Sequence, residues 1–408
     1  MLISVPQEIL RCLNTLTNHG YEAYIVGGAI RDSLLNKLSH DWDIACSANP
    51  EQLRALFTKG VFKNKKYGTI SLFKQPLSIE ITPFRVESNY KNNRHPQHVS
   101  FGQSLKQDLM RRDFTINAMA YDVSARKLID PHHGRKDLEA KLLNTVGSAK
   151  DRLSEDYLRI LRAARFINML NFNVSKDIIE AAKDLSSKIT SISQERIGAE
   201  FLKIFAAESS VLALDFCNQT NLSPYIFSKN VNIDAVYFSR KLPQGYQAES
   251  RVLKIYECDF DKTRQIIQNW SWPKNSQQKL KHIQLCLSYY EASKNSLSAK
   301  HDFLLNLAPL QLIDWQDIYE FLYNCKDIHY INELQTMKNQ ENLFAISDLS
   351  LNGKDIQILF NNPKKDYLIG KILNELTEKV RLKHLSNHKQ DLLAYTIQKY
   401  SEHIDKSE

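Results

Sequence analysis

The sequence predicts an α+β protein, with a strand-bearing head that ends near residue 148 and helices from there to the C-terminus. Three observations carry this. The β-branched apolar runs Tyr24 to Val26, Thr69 to Phe73 and Leu77 to Phe84 all lie in the first quarter of the 408 residues. From about residue 150 onward the apolar spacing is almost entirely helical. Glycine and proline are scarce, at 12 and 11, which favours helices over an all-β architecture.

The length allows several domains and more than one core. The net charge of +8 fits an anionic partner without identifying one. Cys12, Cys46, Cys217, Cys258, Cys286 and Cys325 show neither a C-x-x-C pair nor zinc-ligand spacing to a histidine, so they read as reduced structural thiols. No apolar run is long enough to span a membrane, and the N-terminus lacks a basic segment followed by an apolar one. The expected location is the cytoplasm.

Taken in order, residues 6 to 19 form an opening helix, with Ile9, Leu10, Leu13 and Leu16 on one side and Gly20 at its end. Tyr24 to Val26 is a short strand. Gly27 and Gly28 allow a tight turn and close approach of a ligand to the backbone. Ala29 to Leu35 reads as a short helix whose free N–H groups would face a phosphate over the glycines. Asp41 and Asp43 alternate on the next strand, so both carboxylates share one face. Two acidic ligands on one face suit Mg²⁺, which takes its remaining ligands from substrate phosphates. A plain turn and a solvated pair of acids are the bland readings of each part alone.

Asn49-Pro50-Glu51 starts a helix with Leu53, Leu56 and Phe57 inward. Thr69 to Phe73 and Leu77 to Phe84 form a hairpin. Glu80, flanked by Ile79 and Ile81, is either a third metal-site carboxylate or a surface-facing strand residue, because burying it without a partner is costly. Residues 86 to 98 are polar and basic without periodicity, and read as a mobile loop beside the metal strand. Arg111-Arg112-Asp113 offers a surface ion pair or guanidinium contacts to a triphosphate. Asp130 to Gly134 reads as a turn, and a helix beginning near Lys136 closes the head.

The helical half opens with Glu-Asp-Tyr-Leu-Arg-Ile-Leu-Arg-Ala-Ala-Arg-Phe at 155 to 166. Ser154 is expected to cap this helix, and Asp156 and Arg159 to neighbour each other on one face, followed by Arg162 and Arg165. Intrahelical ion pairing is the plain reading. Hydrogen-bond chemistry offers a sharper one. A carboxylate accepts from an exocyclic amine and a guanidinium donates to a ring acceptor. Cytosine and adenine both present an amine beside such an acceptor, whereas uracil and guanine place a carbonyl against the carboxylate. A site built for a donor rejects analogues that lack it. Further helical patterns follow at Ile178, Ile179 and Ala182, and at Phe201, Leu202, Ile204 and Phe205. Asn352-Gly353-Lys354 reads as a turn before a helix. Lys379 to Lys406 mixes basic and apolar residues on a helical pattern, as a solvated or nucleic-acid-facing helix.

The motifs Gly-Gly-Ala-Ile-Arg-Asp, Asp-Trp-Asp, Arg-Arg-Asp-Phe-Thr-Ile-Asn-Ala, the 155–166 stretch and Ser-Gln-Glu-Arg-Ile-Gly-Ala-Glu occur in the order seen in class II tRNA nucleotidyltransferases. The sequence resembles that family, and within it most of all the CCA-adding enzymes of Gram-positive bacteria. The motifs cover roughly the first half, and Leu-Asn-Gly-Lys-Asp-Ile and the overall length extend the likeness. The resemblance implies a polymerase-β-like nucleotidyltransferase head with a mixed sheet over 1–148. It further implies an all-helical neck for base recognition over 149–206, a helical body over 207–300 and a helical tRNA-binding tail over 301–408. It also implies addition of C, C and A to the tRNA 3′ end from CTP and ATP, with Mg²⁺. Asp41 and Asp43 match the metal ligands, with Glu80 as a catalytic candidate. Gly28, Arg31 and Arg112 match triphosphate-binding positions. Asp156, Arg159, Arg162 and Arg165 match the nucleotide-binding helix, and Glu195 and Arg196 the motif that supports it.

The partners so implied are tRNA, gripped at its acceptor and elbow, and the two nucleotides. A homodimer is carried as an expectation, and the oligomeric state is otherwise open. An A-adding enzyme shares the loop at 86–98, a poly(A) polymerase shares the head, and an RNA-binding protein has no need of Asp41 and Asp43. The loop departs from the acidic pattern common in the family at Asn89, Lys91, Asn92 and Asn93. A His-Asp phosphohydrolase signature is lacking in the second half.

Overall fold

A computed structural model describes residues 3–64, 68–74, 76–91, 95–101, 104–233, 238–295, 297–307, 310–323, 328–340, 346–360, 366–382 and 384–400. The chain divides into two compact units, residues 1–241 with 266–272 and residues 242–265 with 273–408.

The first unit begins with α1 (Gln7–Asn18), which buries Ile9, Leu13 and Leu16. Then come β1 (Ala23–Val26), α2 (Gly28–Leu34), β2 (Asp41–Cys46) and α3 (Pro50–Leu56). Asn49 caps α3 through a reciprocal exchange with Gln52, as the Asn-Pro-Glu signal predicts. Strands β3 (Val61–Asn64), β4 (Thr69–Lys74) and β5 (Leu77–Pro83) follow. With β8 (Ala120–Asp122) and β9 (Lys127–Ile129) they build one seven-stranded sheet in the order β3-β4-β5-β2-β1-β8-β9. The sheet is mixed, because β2 pairs with β5 in parallel and with β1 antiparallel.

Residues 86 to 98 differ from the expected loop. The described ones, 86–91 and 95–98, belong to β6 (Arg85–Lys91) and β7 (His95–Phe101), which pair antiparallel as their own two-stranded sheet. Backbone pairing here needs no apolar alternation, which is why the polar sequence hid it. Asn92, Asn93 and Arg94 lie outside the described residues.

Beyond β7, α4 (Leu105–Met110) packs Leu105 and Leu109 against Val26, Ala45, Phe84 and Ala120 of the sheet. The Asp130 carboxylate accepts from the N–H groups of Gly134 and Arg135 and so starts α5 (Gly134–Glu139). Helices α6 (Ala149–Glu155), α7 (Leu158–Leu170), α8 (Lys176–Leu185), α9 (Gln194–Ala206), α10 (Val211–Gln219) and α11 (Ser223–Phe227) complete the unit. Leu158, Leu161, Ala164 and Ile167 are buried along α7, as their spacing predicts. Trp270 stacks on Phe201 of α9 at 5.1 Å, and the Trp272 indole donates to the Gly198 carbonyl at 2.8 Å.

Among the described residues of the second unit the regular elements are all helices. Lys274–Ser293 is its longest helix, and Tyr290 of that helix meets Phe303 at 5.3 Å and Trp315 at 5.8 Å. A separate core gathers Leu351, Ile356, Phe360, Ile372, Leu376 and Leu392. Asn352 caps Gly353–Phe360 by accepting from the Lys354 and Asp355 N–H groups, so the Asn-Gly-Lys turn does precede a helix. Basic Lys379 closes Asp366–Arg381, Lys389–Tyr400 follows, and residues 401 to 406 of the predicted pattern lie outside the described residues. Cys12, Cys46, Cys217, Cys258 and Cys286 form no disulfide among the described residues, and Cys325 lies outside them. Among the described residues no helix is long and apolar enough to cross a membrane.

Candidate active site

The antiparallel register puts Val26 of β1 opposite Asp43 of β2. The turn that follows Val26 therefore sits beside the Asp43 carboxylate. Gly27 adopts φ +75°, which L side chains rarely accept. A Cβ there would lie 3.1 Å from Arg112 Nη1 and 3.2 Å from Asp43 Oδ2. The bare glycine thus leaves Arg112 and Asp43 facing one open space.

The parallel register sets Asp43 beside Glu80 of β5, on the same face of the sheet. Asp41 projects from that face two residues earlier. Glu80 also accepts from the Ser71 hydroxyl at 3.4 Å. Burial pushes the Asp43 carboxyl up to about 6, with Arg112 pulling it down and Glu80 and Asp41 adding to the rise. Crowded like charge of this kind is relieved by a cation. Among the described residues no group of three or more His, Cys, Asp or Glu side chains could hold an ion by itself. The donor set instead fits a hard divalent cation held by one or two carboxylates, with phosphates and water completing its shell.

One cavity of about 1070 Å³ holds these carboxylates and every other residue singled out from the 155–166 stretch. Gly28, Arg31, Asp41, Asp43, Glu80 and Arg112 line it from the sheet side. Asp156, Arg159, Arg162 and Arg165 line it from the helical side, as does Arg196. Arg112 Nε, Arg165 Nε and Arg196 Nη1 are buried donors with no hydrogen-bond partner. Single unpartnered N–H donors of this kind in a cavity wall are suited to acceptor atoms of an anionic ligand.

The helical wall differs from the expected single helix. The helix breaks at Asp156, which is extended at φ −149° and ψ 107°, and Ser154 lies inside α6 rather than capping a start. Asp156 Oδ1 accepts from the Leu158 N–H at 3.1 Å at the beginning of α7. Asp156 and Arg159 therefore do not pair. Arg159 bonds Glu155 and the Arg152 carbonyl, and Asp156 Oδ2 accepts from Arg196 Nη2 at 2.6 Å. A three-residue spacing predicts facing side chains only where the helix is continuous.

Two acids, Asp108 and Glu200, escaped the sequence reading. Asp108 is buried and bridges Arg111 at 2.6 Å and Arg112 at 3.1 Å, so these arginines meet a different, interior acid rather than forming the surface pair expected of Arg111-Arg112-Asp113. Asp113 accepts from Arg162 Nε at 2.7 Å. Burial would raise the Asp113 carboxyl, but Arg162, Arg159 and the Phe114 N–H hold it down at about 2. Glu200 faces Arg165 at 3.2 Å. Arg31 is held between Asp32 and the Asn117 amide oxygen, at 2.8 Å from each. The i,i+3 and i,i+4 spacing of Asp108 with Arg111 and Arg112 is a helical signal that could have found that pair. The Asp113–Arg162, Glu200–Arg165 and Arg31–Asn117 contacts join different elements, so helical spacing does not signal them.

A family model described as the poly A polymerase head domain matches residues 23–144, and one for a probable RNA- and SrmB-binding site of polymerase A matches residues 171–231. The chain is 34% identical over 392 residues to the CCA-adding enzyme of Lactobacillus johnsonii, covering 92% of this chain and 97% of that one. It is 32% identical to the CCA-adding enzyme of Bacillus pumilus, with 93% of each chain covered. The crystal structure of the Bacillus stearothermophilus CCA-adding enzyme in complex with CTP matches with a TM-score of 0.77 at 26% identity, over 97% of this chain and 98% of that chain.

Proposed function

This chain belongs to the CCA-adding enzymes, and on that footing we propose how its cavity adds C, C and A to the 3′ end of tRNA from CTP and ATP without a template. The observation that carries the reading is the meeting of two walls in one cavity. Carboxylates and a glycine turn come from the sheet, and an acid with several arginines from α7 and its flanks.

The triphosphate lies over Gly27 and Gly28, where the absent side chains allow close approach. Arg112, with a free buried Nε donor, and Arg31 supply positive charge to it. The base enters between the walls. Asp156 accepts from the exocyclic amine of cytosine or adenine, and Arg159 donates to the neighbouring ring nitrogen. Arg196 holds Asp156 in orientation. Arg162 and Arg165 hold the rest of that wall.

Asp41 and Asp43, with Glu80 beside them, are the residues to hold Mg²⁺. Two such ions would stabilise the attacking and leaving oxygens of an in-line displacement. The tRNA 3′-hydroxyl attacks the α-phosphorus, the bond to the β-phosphate oxygen breaks, and pyrophosphate leaves. The chain's own contribution is positioning and fixed charge. We assign residues 1–148 as the catalytic head, 149–206 as a base-selecting neck, and 207–300 and 301–408 as a body and tail that bind the tRNA acceptor and elbow by shape and phosphate contacts. The location of the tRNA substrate makes the cytoplasm the site of action. A homodimer remains the assembly to test.

The test is incorporation on a tRNA transcript ending before CCA, given CTP alone, ATP alone, or both. Two residues from CTP and then one A is the expected outcome. Addition of A only to a transcript already ending in CC would reassign the chain as an A-adding enzyme. Long A tails without CTP would make it a poly(A) polymerase. Binding without incorporation would leave an RNA-binding protein.

A further inference from the structure

We propose that Phe166 is a positioning residue for nucleotide selection, its ring holding Arg31, Arg162 and Arg165 in one fixed constellation at the cavity wall. The inference rests on the nucleotide-transfer reading above.

The guanidinium carbon of Arg165 lies 4.7 Å from the centre of the Phe166 ring, that of Arg31 at 5.3 Å and that of Arg162 at 5.5 Å. All three arginines and Phe166 line the same cavity. Three like charges gathered round one point repel each other, and each has its own acid: Asp32 for Arg31, Asp113 for Arg162 and Glu200 for Arg165. Those acids come from three separate parts of the chain: α2, the stretch after α4, and α9. The ring is the contact the three arginines share.

For Arg162 and Arg165 an acid anchors the guanidinium at one edge and leaves the tilt of its plane less restricted, whereas Arg31 is also held by the Asn117 amide oxygen. An aromatic face restricts that tilt, because the ring's negative π-surface attracts the flat cation lying against it. The ring itself has little freedom. It is 4% exposed and meets Phe114 edge-on at 5.5 Å. Phe114 directly follows Asp113, so the segment that supplies the acid for Arg162 also braces the ring. α7 supplies the ring and two of the arginines, while Arg31 comes from α2, so Phe166 couples the glycine-turn helix to the base-selecting wall. An aliphatic side chain could fill the same volume. It could not orient the cations.

The experiment replaces Phe166 with mono-, di- and trifluorinated phenylalanine in the full chain. Fluorine drains the π-face at nearly constant shape, so packing alone predicts no trend. The expected result is a stepwise fall in kcat/KM for CTP and ATP, reaching about three- to tenfold with the trifluorinated ring. Misincorporation of UMP and GMP rises in parallel, with the KM for tRNA and the melting temperature unchanged. Phe166→Leu should move nucleotide kinetics in the same direction and further. Flat kinetics and unaltered selectivity across the fluorinated series, with an active wild type, would overturn the role of Phe166 alone. A wild type that adds no CMP would remove the underlying reading as well.

Discussion

Arg196 Nη2 donates to Asp156 Oδ2 at 2.6 Å, tying α9 to the break between α6 and α7. The carboxylate proposed to accept the base amine is thus oriented by a residue forty positions away. Arg196→Met keeps the aliphatic stem and removes the donor. We expect kcat/KM for CTP and ATP to fall about 10- to 100-fold, the scale of a lost charged hydrogen bond. Steady-state kinetics with each nucleotide check this. An effect confined to the KM for tRNA would show that Arg196 serves the nucleic acid instead.

Asp43 carries a carboxyl raised to about 6 beside Glu80 and Asp41. A cation must displace that proton to bind. Mg²⁺ affinity in the presence of CTP should therefore weaken by up to about tenfold for each pH unit below 6 and level off above it. Calorimetric titration across pH 5 to 8 (order-of-magnitude range around the raised value) measures this directly. Asp43→Asn should abolish both the pH dependence and the transfer step, while CTP still binds. A flat affinity in the wild type would rule Asp43 out as a ligand.

Asp113 behaves in the opposite sense. Its carboxyl lies at about 2 in the folded protein against an ordinary 3.8. The folded value is depressed, so its stabilisation is fully present above about pH 4 and is lost as pH falls through 2. The shift corresponds to about 2 kcal/mol. Asp113→Asn should lower stability at neutral pH and flatten the acid limb of a stability-against-pH curve. Urea unfolding between pH 2 and 7 (roughly spanning both values) resolves it, and curves of identical shape would contradict the assignment.

Gly198 lets α9 lie against Trp270. A Cβ at this position would fall 2.3 Å from the Trp270 Cβ and 2.4 Å from its carbonyl oxygen. One of the contacting atoms is backbone, so it cannot swing aside. Gly198→Ala should cost about 3 kcal/mol through this overpacking. It should also lower activity, because α9 carries Arg196 and Glu200. Denaturant midpoints report the first effect. An unchanged midpoint would mean that α9 shifts freely, contrary to the buried Trp272–Gly198 hydrogen bond.

Much of this was legible in the chain itself. The β4–β5 hairpin, the cap of α3 and the apolar stripe of α7 follow from local rules, since period, capping and turn residues act over a few positions. Of the ten candidate residues, Glu80 was named from its place in an apolar strand and the other nine lie in the motifs, and all ten line one cavity. The hairpin over 85–101 was missed because its polar side chains carry no alternation signal. The break at Asp156 was missed because the residues around it all tolerate a helix.

By itself, then, the sequence determined the α+β division, the alternation of Asp41 and Asp43, and the family to which the chain belongs. Only the tertiary structure decided which charge meets which. Asp156 belongs to Arg196, Arg162 to Asp113 and Arg165 to Glu200, across gaps of 40, 49 and 35 residues. Arginine reaches far and carries a forked donor, so several nearby acids could serve each one equally well by spacing. Packing of α7 between the sheet-side segments and α9 brings only one of them within bonding distance, and burial then makes that pairing count.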